Sequence, residues 1–203
     1  MNAQTKDTQQ ALSPKGATNL LEQGNQRFLQ NKKENRDLLL QVSQTGAGQF
    51  PFAAVLSCID SRVPAELIFD QGIGDIFSVR VAGNIVNEDI LGSLEYSCKV
   101  AGSKVIVVLG HTSCGAVNSA CKGVELGNIT PMLHKIKPAI ANVKAKLNDH
   151  SDLNCNDVAD ENVRLSIAQI RDESPILAEM EQNGEIEIIG ASYDVSNGKV
   201  DFF

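Results

Sequence analysis

The strongest constraint on this chain is a rhythm of short apolar runs separated by longer stretches with helical periodicity. Phe52–Cys58, Ile76–Ala82 and Val105–Leu109 are too short for buried helices and rich in β-branched or aromatic residues. Runs that are apolar on both faces belong inside a parallel sheet, and the crossovers between them must be helices covering both faces. Glu185–Tyr193 reads as a further strand. Asn197-Gly198 is a hairpin turn signal, so Lys199–Phe203 returns antiparallel beside it. The expected fold is α/β: a mainly parallel central sheet flanked by helices, with an antiparallel C-terminal edge strand.

The intervening segments read as helices. Ser13-Pro14 is a start signal, and Leu20, Leu21, Phe28 and Leu29 recur on one face, which predicts an amphipathic helix over 14–33. Further helices are expected over 89–101, from Ser113 to Cys121, from Thr130-Pro131 to about Leu147, and over 157–183 with a break near Ser174-Pro175. No linker divides the chain. One domain is expected over 13–203, preceded by a frayed polar tail over 1–12. The helix at 14–33 looks like an arm without a local partner, suited to lying across a neighbouring subunit.

Composition narrows the functional classes. With 203 residues the chain can bury one substantial core. Its formal net charge of -7 and lack of a basic stripe argue against a nucleic-acid partner. No run approaches the roughly 18 apolar residues of a membrane span, so no membrane partner is expected. The five cysteines, 58, 98, 114, 121 and 155, are odd in number and no export signal is recognisable, which points to a cytoplasmic chain with free thiols. Gly72-Ile-Gly74 lacks the third glycine of a dinucleotide loop and precedes a strand, so it is not a cofactor cradle.

Two motifs carry chemistry. Ser57-Cys58-Ile59-Asp60-Ser61-Arg62 closes the first apolar run, and Gly110-His111-Thr112-Ser113-Cys114-Gly115 closes the third. In open α/β sheets ligands bind beyond the carboxyl ends of strands, so the two can share one crevice. Cys58, His111 and Cys114 form a three-ligand set for zinc, one ion per chain, that leaves a fourth position open, as catalytic sites do. Asp60 has two readings. As a fourth ligand it closes the site; held by the planar fork of Arg62 it leaves the metal accessible to water. Two thiolates cancel the charge of the ion. A bound water should therefore ionise at higher pH than the value of about 7 found when three neutral histidines hold the zinc. Activity should rise at alkaline pH.

Cys58-x-Asp60-x-Arg62 followed by His111-x-x-Cys114 closely resembles the β-class carbonic anhydrases. Gln49, Phe77, Arg80 to Asn84, Gly92-Ser-Leu-Glu-Tyr96 and Gly115 also fit the family pattern, and the similarity runs from about Ala17 to the C-terminus. The resemblance implies reversible hydration of CO2 to bicarbonate and a proton, with zinc hydroxide as nucleophile and an Asp60–Arg62 dyad orienting it. It implies a pocket lined by Gln49, Phe77 and Tyr96, the last two from the facing subunit, with the Gly115 amide helping to hold bicarbonate. It also implies a homodimer or a dimer of dimers. Two other functions compete: hydrolysis of a related linear molecule such as CS2 or COS, and a non-catalytic zinc or thiol-redox role. Cys98, Cys121 and Cys155 read as packing residues, and His134 and His150 as solvated helix positions.

Overall fold

The computed structural model describes residues 2–147 and 152–203; the expected position of His150 lies outside them. Five strands, β1 (Ala53–Ser57), β2 (Ile76–Arg80), β3 (Val105–His111), β4 (Glu187–Tyr193) and β5 (Val200–Phe202), form one sheet in the order β2-β1-β3-β4-β5 among the described residues. The first four are parallel, and β5 pairs antiparallel with β4. This is the fold class the apolar rhythm predicts. Ser57 stands opposite Arg80 on one side and Leu109 on the other, and β3 runs on to place His111 opposite Tyr193.

The helices are α1 (Lys6–Ala11), α2 (Pro14–Leu29), α3 (Leu38–Thr45), α4 (Ala65–Ile68), α5 (Glu88–Glu95), α6 (Gly115–Cys121), α7 (Ile129–His134), α8 (Lys137–Lys146), α9 (Cys155–Glu173) and α10 (Pro175–Gln182). The strand period of two divides the core. Ala54, Leu56, Ile106 and Val108 face Leu94 of α5, Val163 and Ile170 of α9, and Leu177 of α10. Ala53, Val55, Val105, Val107 and Leu109 face Ala17 and Leu21 of α2 and Ile68 of α4. Each large apolar side chain buried this way contributes about 1.5–3 kcal/mol of transfer free energy. A third cluster, including Val117, Ile136, Ala139 and Val158, packs beside Cys58 and Cys114.

The N-terminal expectations need correction. The segment expected to fray over 1–12 contains α1, capped by Thr5. Gln9 is buried there and donates from Nε2 to the carbonyls of Pro51 (2.7 Å) and Ala101 (2.8 Å). A polar, Gln-rich sequence hides such an anchor, because its partners lie far away along the chain. Helix α2 is not an arm without a local partner. Ala17 and Leu21 are fully buried on its own sheet, and Asn25 ties it to Ile68, Gly198 and Val200. It ends at Leu29 rather than near residue 33, where Asn31 takes a left-handed φ of 53°.

Boundaries elsewhere also shift. The helix expected over 89–101 passes into a π-helical turn, Tyr96–Val100. The long helix expected from Thr130 is two, broken between His134 and Lys137. The break at Ser174-Pro175 is as expected: Ser174 Oγ accepts the Leu177 amide and Pro175 begins α10. Helix α3 was not foreseen. Asp37 caps it, and its Gln41 accepts the Ile73 amide.

Candidate metal centre

Strands β1 and β3 are neighbours, so the residues leaving their carboxyl ends converge. Cys58, the residue after β1, His111, the last of β3, and Cys114, just before α6, are all buried. Their ligand atoms lie within 4.8 Å of one another. The two sulfurs are 3.9 Å apart, close to the roughly 3.8 Å expected for two thiolates on one tetrahedral ion with metal–sulfur bonds of about 2.3 Å.

His111 is prepared for a metal on one nitrogen. Its Nδ1 donates to the Thr112 carbonyl at 2.9 Å, which leaves the Nε2 lone pair facing inward. Nε2 is fully buried without a hydrogen-bond partner among the described residues. Such an orphan is costly unless something binds it, and its position beside two thiols fits a cation. The thiols also behave as a pair. Cys114 and the Gly83 amide, 3.3 Å from the Cys58 sulfur, help pull the Cys58 thiol down, while Cys58 and burial push Cys114 up. A divalent cation between them would favour both thiolates.

The loop after β2 supports Cys58. Gly83 has a φ of 70°, and a Cβ there would press on Ile136. Its carbonyl accepts Asn162 Nδ2 of α9 at 2.9 Å. Arg80 donates from Nε to the Cys58 carbonyl (3.0 Å) and from Nη2 to the Asp60 carbonyl (2.6 Å), fastening the ligand loop to β2.

Asp60 faces the same centre. Its Oδ2 is 4.0 Å from His111 Nε2, yet both its oxygens are taken by Arg62: Nε to Oδ1 at 2.9 Å and Nη2 to Oδ2 at 2.7 Å. The Arg62 hydrogen bonds hold the Asp60 carboxyl well below the usual carboxylate range, against a smaller opposing effect of burial. In this geometry Asp60 is ion-paired with Arg62.

The pocket residues expected from the sequence do not gather here within one chain. Gln49 is exposed in the segment before β1. Phe77 pairs with Ala54 near the amino end of β2, about 10 Å along the strand from its carboxyl end. It packs edge-on against Tyr96, ring centroids 6.3 Å apart, beside a surface groove that also includes Arg80 and Gly92. Gly115 begins α6 directly after Cys114, exposed, with open space around it. His134 is exposed at the end of α7. Cys98 is buried, which pushes its thiol up to about 11; burial and the neighbouring Cys155 push Cys121 up to about 12.

Sequence reasoning missed Thr112, Ser113 and Asn156, whose roles rest on backbone carbonyls and amides. The left-handed Ser113, φ 55°, delays the start of α6 to Gly115. A helix-friendly sequence gives no sign of this.

The model of the carbonic anhydrase family matches residues 53–200, most of the chain. Carbonic anhydrase 2 of Mycobacterium tuberculosis is 33% identical over 92% of this chain and 91% of that protein. A β-carbonic anhydrase of Aspergillus fumigatus superposes with a TM-score of 0.73 at 26% identity, covering 80% of this chain and 79% of the other. A tetrameric β-carbonic anhydrase of Sordaria macrospora shares the fold, with a TM-score of 0.72 at 24% identity over 80% of this chain and 89% of that one. With the Cys58–His111–Cys114 cluster at the carboxyl ends of its parallel strands, the chain belongs to the β-class carbonic anhydrases.

Proposed function

We propose that this enzyme interconverts CO2 and bicarbonate at one zinc ion per chain, held by Cys58, His111 and Cys114, with Asp60 and Arg62 as the orienting dyad. The observation that carries this reading is the buried three-ligand cluster with a fourth acidic group drawn aside by Arg62. Zinc bound there would supply the Lewis acidity that makes water a nucleophile at mildly alkaline pH.

The chain's own residues supply the rest. Asp60 stays ionised because Arg62 stabilises its charge, so it can accept a hydrogen bond from the attacking water and aim a lone pair at the carbon of CO2. Arg62 prevents the same carboxylate from closing the site. The Gly115 amide, in the first turn of α6, serves in this reading as a donor to an oxygen of bicarbonate. One water and one CO2 give bicarbonate and a proton, which leaves to solvent.

The assembly proposed is a homodimer or a dimer of dimers. Strand β2 is an unpaired edge among the described residues, and Tyr96 beside it is 52% exposed. A facing subunit laid along that edge would bring Phe77 and Tyr96 towards the partner's centre, with Gln49 completing the pocket. The relative described as tetrameric supports this reading. No described helix is long and apolar enough to cross a membrane. Two thiolate ligands suit a reducing compartment, so we place the enzyme in the cytoplasm.

Stopped-flow hydration of CO2 by zinc-loaded protein tests the activity, and sedimentation tests the assembly. Zinc-loaded wild type without hydration would contradict the reading.

A further inference from the structure

Ser113 sits between the second and third metal ligands in a conformation that a serine seldom adopts, φ 55°. Such strain persists only where neighbours enforce it. Two neighbours grip this residue from opposite sides. Its amide donates to Asn156 Oδ1 in the first turn of α9 at 2.9 Å. Its carbonyl accepts Arg62 Nη2 at 3.2 Å. The same Nη2 holds Asp60 Oδ2 at 2.7 Å. Asn156 is itself steadied, because its own amide donates to Asn154 Oδ1 at 3.0 Å.

A connected path therefore runs from α9 to the carboxylate beside the metal ligands. If Ser113 relaxed towards the ordinary right-handed region, its carbonyl would swing away from Arg62. Arg62 is 49% exposed, so solvent would then compete for its guanidinium and loosen its hold on Asp60. Cys114, the next residue, would turn as well.

We propose that Asn156 is a positioning residue for the metal centre, holding Ser113 in the left-handed conformation that aims its carbonyl at Arg62 and thereby keeps Arg62 across Asp60. This rests on the dyad reading given above. Asn156 is not one of the proposed ligands; it acts through Ser113.

The test uses the full zinc-loaded chain as wild type, Asn156→Ala, Asn156→Asp and the double variant Asn156→Ala/Ser113→Gly. Three quantities are read: kcat and KM for CO2 hydration, the rate of zinc release to a chelator, and Tm. Asn156→Ala should lower kcat about tenfold with little change in KM, as expected for one lost hydrogen bond that acts on orientation. It should also release zinc faster, with Tm close to wild type. Asn156→Asp keeps the acceptor oxygen and should retain most of kcat. Adding Ser113→Gly should recover most of the loss, because glycine adopts positive φ without a clamp. A purely structural contact would lower Tm and would not be relieved by the glycine. An Asn156→Ala protein with wild-type kcat and zinc release, or a loss that Ser113→Gly leaves in place, would overturn the inference. If wild type itself shows no hydration, the functional reading fails, while zinc release still reports on Asn156.

Discussion

Arg62 spans Asp60 with two parallel hydrogen bonds, 2.9 Å from Nε to Oδ1 and 2.7 Å from Nη2 to Oδ2. Bidentate pairing of this kind fixes geometry as well as charge. It leaves Asp60 Oδ2 4.0 Å from His111 Nε2, beside the Cys58–His111–Cys114 cluster.

Asp60→Asn keeps the three proposed metal ligands but loses the ionised acceptor. It should retain zinc and lower kcat by about a hundredfold or more, in the range for removing a positioned proton acceptor. Metal content and stopped-flow rates on the same sample check this. An unchanged rate would remove Asp60 from the mechanism.

Substituting a ligand acts on the metal first. Cys58→Ser, His111→Ala and Cys114→Ser should each lose bound zinc and lower Tm, because metal binding stabilises the folded state. Removing zinc from wild type with a chelator should lower Tm in the same direction, and restoring zinc should reverse it. A wild type whose Tm ignores zinc would contradict the ligand assignment.

Asp70 joins α2 and the following segment to the end of α4. It accepts from Arg27 Nε (2.6 Å), Arg36 Nη1 (2.7 Å) and the Glu34 amide (3.1 Å). Burial raises its carboxyl, but Arg27, the Glu34 amide and Arg36 together outweigh this, and the net shift is downward. The folded state therefore holds this proton less tightly than the unfolded chain. The stability involved is complete above the unfolded value near pH 4 and is lost as pH falls through the folded value. Asp70→Asn tolerates the left-handed φ of 46°; it removes the charge and turns one accepting oxygen into a donor facing other donors. It should cost about 3 kcal/mol at neutral pH, and less in acid. Urea unfolding at pH 7 and pH 3 measures the difference; an equal cost at both would contradict it.

Gly24 lets α2 lie directly against the end of α4. A Cβ there would overlap the Phe69 carbonyl. Gly24→Ala should destabilise the protein by about 2 kcal/mol, since backbone must move to admit it. Unfolding by heat or urea checks this, and no change would mean that the helix pair gives way freely.

Much of this was legible in the chain because local chemistry and global arrangement agree. The apolar runs Phe52–Cys58 and Val105–Leu109 match strands buried on both faces, so pattern alone places them in a parallel sheet and brings Cys58 and His111 to one edge. The ion pair of Asp60 and Arg62 was visible as spacing, but which of its two states holds depends on the fork geometry, which spacing leaves open. The N-terminal segment misled because Gln9 and Asn25 are polar residues used as buried anchors, with partners up to 175 positions away. Ser113 and Asn156 were invisible for a related reason. Their contact joins an amide to a side chain 43 positions on, and neither residue type marks a site.

The most direct test is the pH profile of CO2 hydration by the zinc-loaded full chain in a stopped-flow instrument. Measurable hydration is expected, with kcat rising from about pH 7 to about pH 9. Two thiolate ligands raise the ionisation of bound water above the value of about 7 seen in carbonic anhydrases whose zinc is held by three histidines. No hydration at alkaline pH, or a rate that is flat across that interval, would contradict the assignment of a two-thiolate catalytic zinc.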